Sequence, residues 1–357
     1  MGSIKTVAVV GLGIGRSHLL EGYAKHREKF RVLALCDLDD ARLANVGDEF
    51  GVERRTTSFD AVLSMQDVDI VDVCTPPMVH KPQVLAALAA GKHVVCEKPL
   101  VGSLADVDAV IAAEKTTRGS VMPIFQYRWG TGFRKAMHVV RAGFAGKPYA
   151  ATAETHWKRA ADYYSVPWRG RYDTELGGVL LTQAIHLHDM MCELMGPIAS
   201  LSAYTATRVN PIEVEDCACA ALRFASGALG TLSATLGGAN EISRLRLTFE
   251  HVTMESGLEP YAPGNDPWTF IARDPSRQRE LDAVVAAVSP VKPRFEGQME
   301  DYHAALAAGA PLPVTLADSR RSLELITALY DSAERESVVM LPLPADHPKA
   351  GSWRPNR

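Results

Sequence analysis

The sequence predicts an α/β protein in two parts: a doubly wound parallel sheet, then an α+β domain with a mainly antiparallel, open-faced sheet. Three observations carry this reading. In the first third, apolar runs of about five residues alternate with amphipathic helical stretches, the pattern of a parallel sheet covered on both faces. The first run breaks directly into a glycine-rich turn, Gly11 to Gly15. After about Phe125 the apolar runs lengthen and alternate with polar residues, as in a sheet with one covered face and one open face.

Taken in order, Thr6–Val10 reads as a strand, Ser17–His26 as a helix, Val32–Cys36 as a strand and Ala41–Phe50 as a helix. Ile70–Cys74 is a buried strand, and Lys81–Ala90 a helix stopped by Gly91. His93–Cys96, Leu104–Lys115 and Val121–Phe125 continue the alternation as strand, helix and strand. Right-handed connections between such units leave the doubly wound sheet as the expected topology. Tyr149–Lys158, Ser200–Arg208, Val214–Phe224 and Ala228–Leu236 are the longer strands, with Ser226-Gly227 a hairpin signal, and Leu245–Phe249 and Val252–Glu255 add shorter ones. Gly257–Asp274, rich in Pro, Gly and Asp, reads as a surface loop. Glu296–Ser337 reads as two helices broken at Gly309-Ala310-Pro311.

A length of 357 residues suits two domains, expected at 1–125 and 126–357, the second carrying the C-terminal helices. A formal net charge of −4 argues against nucleic acid or an anionic membrane as the main partner. No apolar run approaches the roughly 20 residues of a membrane span, and Met1 to Lys5 leads straight into a strand with no signal peptide. The six cysteines form no Cys-x-x-Cys pair, so free thiols in a reducing cytoplasm are expected. Cys217 and Cys219 have no histidine at a useful spacing, and His186 and His188 lack the i, i+4 spacing of helical ligands, so no metal is expected. The open face of the second sheet is expected to make a homodimer or homotetramer.

The turn Gly11-Leu12-Gly13-Ile14-Gly15 follows a strand and opens a helix, which suits a pyrophosphate on the helix N-terminus in a Rossmann-type domain. Arg16 stands where the usual third glycine would fall, and Gly15 comes one residue early. Asp37 ends the second strand, where a carboxylate accepts the adenosine ribose hydroxyls and repels a 2′-phosphate; this favours NAD over NADP, although Arg42 is nearby. It could instead only cap the next helix. Thr75-Pro76-Pro77 makes a rigid turn at the end of the third apolar strand, and His80 opens the next helix as a candidate contact on the nicotinamide side.

Two residues stand out as reactive. Lys98, between Glu97 and Pro99 at the end of a wholly apolar strand, would be pushed towards its neutral form beside a cationic nicotinamide. His186 follows Gly177-Gly178 on a helix whose Thr182 and Asp189, at i−4 and i+3, share its face and can orient the imidazole. His156, Lys158, Arg159, Tyr163 and Tyr164 are candidates for the mouth of a substrate cleft, suited to a sugar.

Together these segments resemble the glucose–fructose oxidoreductase, inositol dehydrogenase and rhizopine-catabolism family, over nearly the whole chain. The resemblance rests on the glycine turn, Thr75-Pro76, Glu97-Lys98-Pro99 and the Gly177-Gly178 segment leading to His186 and Asp189, with support from Arg128, Trp168-Arg169-Gly170 and Val214-Glu215-Asp216. It implies an NAD-dependent oxidoreductase acting on a hydroxyl or ketone of a sugar, glycoside or cyclitol. Lys98 and His186 would flank the reacting carbon, with Trp168 and Arg169 near the cofactor. Gly11, Gly13, Ile14, Gly15, Asp37, Thr75, Pro76, His80, Glu97, Lys98 and Arg128 would complete the cofactor contacts, and Lys158, Tyr163 and Thr182 would join Lys98 and His186 on the substrate. Thr182 departs from the family's acidic or amide residue, which leaves the identity of the base between Lys98 and His186 open. Two other readings are a glycoside hydrolase that oxidises its substrate transiently with NAD, and a non-catalytic NAD-binding regulator.

Overall fold

The structure, a computed structural model, describes residues 3–355. Met1 and Gly2, read above as part of the lead into the first strand, lie outside the described residues. The chain forms two compact units. One takes the chain up to Phe125 together with Phe295–Arg321; the other takes Gln126–Arg294 and the chain from Ser322.

The first unit is built on β1 (Lys5–Val10), β2 (Phe30–Cys36), β3 (Arg54–Thr56), β4 (Ile70–Val73), β5 (His93–Cys96) and β6 (Val121–Pro123). Their order is β3-β2-β1-β4-β5-β6, and each pairing is parallel. The order reverses between β1 and β4, the switch point at which such sheets bind ligands. Val7, Ala8, Val9, Val71, Val94 and Val95 are wholly buried, as strands covered on both faces require. The helices are α1 (Gly15–Ser17), α2 (Asp40–Phe50), α3 (Phe59–Leu63), α4 (His80–Ala89) and α5 (Leu104–Glu114). Asp39, Ser58 and Ser103 cap α2, α3 and α5 by accepting a main-chain N–H three residues on. Gly91, at φ +73°, follows α4 as expected.

The expected regular helix over Ser17–His26 is a different object. After α1 the chain makes a π-helical turn, His18–Gly22, and then a 3₁₀ turn, Tyr23–Lys25. The glycine turn is one residue short, and the wider turn that follows buries His18 completely.

The second unit contains α6 (Thr131–Arg141), β7 (Pro148–Lys158), α7 (Val179–Thr182), α8 (Ile185–Met195), β8 (Ile198–Ala206), β9 (Cys217–Phe224), β10 (Leu229–Thr235), β11 (Gly237–Phe249), β12 (Val252–Glu255), β13 (Thr269–Ala272), α9 (Gln278–Ala286) and the short β14 (Val339–Met340). The sheet runs β13-β12-β11-β7-β10-β9-β8-β14. It is antiparallel except where β10 lies parallel to β7. The hairpin at Ser226-Gly227 joins β9 to β10, with Gly227 at φ +88°. Gly257–Asp274 is not all loop: it holds β13, and Trp268 is buried with its ring beside Phe133.

Two further helices, α10 (Arg294–Ala308) and α11 (Leu316–Arg335), follow. Sequence patterning places both in the second domain, but α10 from Phe295 onward and the first turns of α11 belong to the first unit. Gln298 donates to the carbonyl of Pro123 at 2.9 Å, and Lys29 pairs with Glu300 at 2.6 Å. The His18 and Phe295 rings lie 4.5 Å apart.

Candidate functional site

In the first unit the candidate residues gather at the C-terminal ends of β1, β2, β4 and β5. Gly11 sits at φ +87°, and a Cβ there would lie 2.6 Å from the carbonyl oxygen of Cys74. Gly15 is just as confined, since a Cβ would come within 2.9 Å of Val9 Cγ1 and 3.3 Å of Cys74 Cβ. Gly15 thus does the helix-to-strand packing of the usual third glycine, which is why Arg16 is tolerated. Arg16 turns outward and pairs with Glu49. Gly13 is different: a Cβ there would meet nothing within 4 Å. That open cradle is what close backbone approach to a pyrophosphate requires, so the turn fits a dinucleotide.

Asp37 is buried. Its Oδ2 accepts the Leu12 N–H at 2.7 Å and its Oδ1 the Asp39 N–H at 2.9 Å, so the carboxylate is locked onto the glycine turn. Asp39, not Asp37, caps α2. Arg42 reaches Asp37 at 3.3 Å. Leu38 is 87% exposed and Ile14 is 42% exposed, so apolar side chains flank the turn as an adenine would need.

Thr75 and Pro76 form the expected turn. His80 proves to be wholly buried. Its Nδ1 faces the Pro99 carbonyl at 2.8 Å and its Nε2 the Thr75 carbonyl at 2.7 Å. Burial lowers its pKa. The wholly buried His80 side chain therefore ties the Thr75 turn to the Lys98-Pro99 turn rather than standing open at the crevice. The Lys98-Pro99 peptide is cis. Glu97 is buried and its Oε2 accepts the Lys98 main-chain N–H at 3.0 Å, while Lys98 itself is half-buried.

Beneath Glu97 lies a polar cluster that sequence reasoning missed. His18 Nε2 is 3.0 Å from Glu97 Oε1, and its Nδ1 is 2.9 Å from Asp72 Oδ2. Cys74 Sγ adds contacts at 3.4 Å to His18 and 3.3 Å to Asp72. The ligand-type atoms of His18, Asp72 and Cys74 lie within 4.8 Å of one another, and these mutual hydrogen bonds account for their approach. The available signal was Asp72, a carboxylate in the middle of an otherwise apolar strand.

In the second unit the candidates gather around α7 and α8. Gly178 opens α7, and a Cβ there would fall 1.7 Å from the Glu215 carbonyl oxygen. The Glu215 carboxylate accepts the N–H groups of Gly178 and Leu180, each at 3.0 Å, and the Tyr330 hydroxyl at 2.7 Å. Burial nevertheless pushes its pKa up to about 7. Glu215 and Asp216 serve main-chain donors, so β9 begins only at Cys217 rather than at Val214.

The helix expected to carry Thr182, His186 and Asp189 on one face is broken: α7 ends at Thr182 and α8 starts at Ile185. Thr182 Oγ1 donates to the Gly178 carbonyl at 2.8 Å. His186 is buried and stacks on Tyr127, with ring centroids 4.3 Å apart. Asp189 receives both Nε and Nη2 of Arg128 at 2.6 Å, and Glu193 approaches Arg128 at 3.4 Å. Arg128, expected on the cofactor, is thus built into the support of α8. Arg169 pairs with Glu175 and lies over the rings of Tyr163 and Trp168 at 3.9 and 4.3 Å. Gln183 donates to the Tyr163 hydroxyl at 3.2 Å. Lys158 ends β7 with its side chain exposed.

A doubly wound sheet with an open glycine cradle, a locked carboxylate after β2 and a lysine turn after β5 defines a nicotinamide-dinucleotide oxidoreductase. Comparison with known proteins agrees. Residues 5–125 match an oxidoreductase family with an NAD-binding Rossmann fold, and residues 133–255 match the GFO/IDH/MocA C-terminal domain. The chain belongs to the Gfo/Idh/MocA oxidoreductase family. A D-apiose dehydrogenase of Rhizobium rhizogenes is 30% identical over 329 residues, which is 86% of this chain and 89% of that protein. A levoglucosan dehydrogenase of Pseudarthrobacter phenanthrenivorans is 26% identical over 345 residues, 84% of this chain and 86% of its own. Among solved structures, the WlbA dehydrogenase from Bordetella pertussis in complex with NADH and UDP-GlcNAcA superposes with a TM-score of 0.84 at 25% identity, covering 96% of this chain and all of that one. No helix among the described residues is long and apolar enough to cross a membrane.

Proposed function

We propose that this NAD-dependent dehydrogenase acts on a secondary hydroxyl of a sugar, glycoside or cyclitol, with Lys98 and His186 handling the hydroxyl proton. The observation that carries the reading is the junction at the switch point of the first sheet. There the open Gly13 cradle follows β1, Asp37 follows β2 and the Glu97-Lys98-Pro99 turn follows β5, all at the same end of the parallel sheet. Bound NAD supplies the hydride acceptor. Gly11, Gly13, Ile14 and Gly15 shape the pyrophosphate turn, Asp37 takes the ribose, and Thr75, Pro76 and Glu97 hold the turns at the nicotinamide end. His186 accepts the hydroxyl proton, while Lys98 assists and stabilises the developing alkoxide. Thr182 cannot take a proton near neutral pH, so Lys98 carries more of the acid–base work. Trp168 and Arg169 stand with the cofactor, and Lys158, Tyr163 and Thr182 with the substrate. The named relatives, which act on sugars, support this substrate class.

The test is NADH absorbance with purified protein, NAD and a panel of inositols, aldoses, uronates and glycosides. Signal with one compound class, reduced by orders of magnitude in Lys98→Met and in His186→Ala while NADH still binds, supports the reading. No signal across the panel, with aglycone released from a glycoside, moves the assignment to an NAD-dependent hydrolase.

We further propose a cytoplasmic homo-oligomer joined through the open face of the second sheet. Tyr204 and Leu229 are exposed there among Ser202, Cys219, Ala221 and Thr231, and the cysteines of the described residues are free thiols. Tyr204→Lys is expected to lower the mass seen by light scattering. A wild-type chain that is monomeric at micromolar concentration refutes the assembly.

A further inference from the structure

The buried cluster beneath the lysine turn has a role beyond packing. His18 presents each ring nitrogen to a carboxylate oxygen, Asp72 on one side and Glu97 on the other, and its side chain is wholly buried. A neutral imidazole donates from only one nitrogen and would set the other's lone pair against a carboxylate. Two donors satisfy both contacts. We infer that His18 is a positioning residue for Lys98: an imidazolium that clamps the Glu97 carboxylate, the same group that receives the Lys98 main-chain N–H, and that sets the net charge beside that lysine. This rests on Lys98 carrying a proton in the reaction.

The groups around His18 fix the charge count. Asp72 and Cys74 face it from the end of β4, Glu97 from the end of β5, and Phe295 from α10. Tyr23 and Tyr302 lie towards Asp72. Burial raises the thiol and both phenols, so all three stay neutral. Burial opposes the imidazolium while Asp72 and Cys74 favour it, and the His18 pKa lies well above its ordinary value. An imidazolium held between Asp72 and Glu97 offsets negative charge under the lysine turn. His18 also lies three residues past Gly15, so one side chain joins the pyrophosphate turn to the lysine turn.

Changing that charge moves the Lys98 titration in a stated direction. His18→Gln removes a positive charge, which holds Lys98 protonated to higher pH. The limb of the kcat–pH profile that reports the Lys98 titration then shifts up by about one pH unit. Glu97→Gln, which keeps the size and shape of the side chain, removes a negative charge and shifts the same limb down. The double variant restores the net charge and returns the limb towards wild type. A purely structural histidine lowers the melting temperature without this pattern of opposite shifts. NADH affinity, read by fluorescence, shows that each variant still holds the cofactor. Independently, ¹⁵N-histidine spectra of the wild-type protein should show both His18 nitrogens protonated at about pH 8, above the ordinary histidine value.

A limb unmoved in His18→Gln and Glu97→Gln, with Lys98→Met inactive and NADH bound, overturns the inference and leaves the Lys98 assignment standing. Wild-type turnover in Lys98→Met overturns that assignment, and the positioning role with it. A neutral His18 tautomer at about pH 8 overturns the imidazolium directly.

Discussion

Arg128 grips Asp189 through two hydrogen bonds of 2.6 Å, one from Nε and one from Nη2, with both side chains nearly out of contact with water. The pair fastens the segment bearing Tyr127 to α8, and Tyr127 is the ring on which His186 stacks. Removing Asp189 takes away both short hydrogen bonds and leaves the nearly buried Arg128 charge facing Glu193 at 3.4 Å. Asp189→Ala is therefore expected to cost about 3–5 kcal/mol in urea unfolding and to depress turnover by loosening His186. Arg128→Met combined with Asp189→Leu should regain most of the stability but not the turnover. Unchanged stability in Asp189→Ala would mean that the pair contributes nothing.

Gly13 and Gly15 separate binding from folding. Gly15→Ala forces a methyl group against Val9 and Cys74 and should cost about 1–3 kcal/mol of stability. Gly13→Ala adds a methyl where nothing lies within 4 Å, so the melting temperature should hold while NADH affinity falls by about tenfold or more. Equal NADH affinity in wild type and Gly13→Ala would place the pyrophosphate elsewhere.

Asp37 is expected to fix the choice of cofactor. Asp37→Ser removes the carboxylate that would face a 2′-phosphate and frees Arg42 from its 3.3 Å contact. The preference for NAD over NADP, measured as a ratio of kcat/KM, should fall by roughly 10²-fold, the few kcal/mol of a like-charge juxtaposition. A ratio that does not move would show that Asp37 serves only to hold Leu12.

Glu215 makes stability depend on pH. Burial raises its folded pKa to about 7 from an ordinary 4.5. The folded state thus binds the proton more tightly than the unfolded one. This contribution is fully present below about pH 4.5 and is lost as pH rises through 7, an effect of order 3 kcal/mol. Glu215→Gln should abolish that slope in unfolding measured from pH 5 to pH 8. It should also lower stability throughout, because both oxygens accept main-chain N–H groups and an amide must turn its NH₂ onto one of them. A slope retained in Glu215→Gln assigns it to another group.

The parallel strands were legible because burial on both faces leaves an unbroken apolar run, as at Val7 to Val10 and Val94 to Cys96. Arg54–Thr56 was missed, since three polar residues at a sheet edge carry no apolar signal. The parallel pairing of β10 with β7 was also hidden: a hairpin turn reveals one neighbour of a strand and is silent about the other. The places of Lys98 and Asp37 just past strand ends were legible. The engagement of Arg128 with Asp189, and of His80 with two carbonyls, depends on which buried group finds which partner, and no local pattern encodes that. Asp72 stands in the sequence as a carboxylate amid valines and isoleucine, the one local sign of the buried cluster.

The return of α10 to the first unit bears on how the protein is made. The carbonyl of Pro123 waits for Gln298, His18 for Phe295 and Lys29 for Glu300. On a nascent chain emerging from the ribosome, β7 to β13 of the second sheet must therefore be made before the nucleotide-binding core can close. Release of a fragment ending at Phe125 would leave Pro123 and Lys29 without these partners and His18 without its covering ring. Translation order and folding order are interleaved in this molecule, and the half that begins first is finished late.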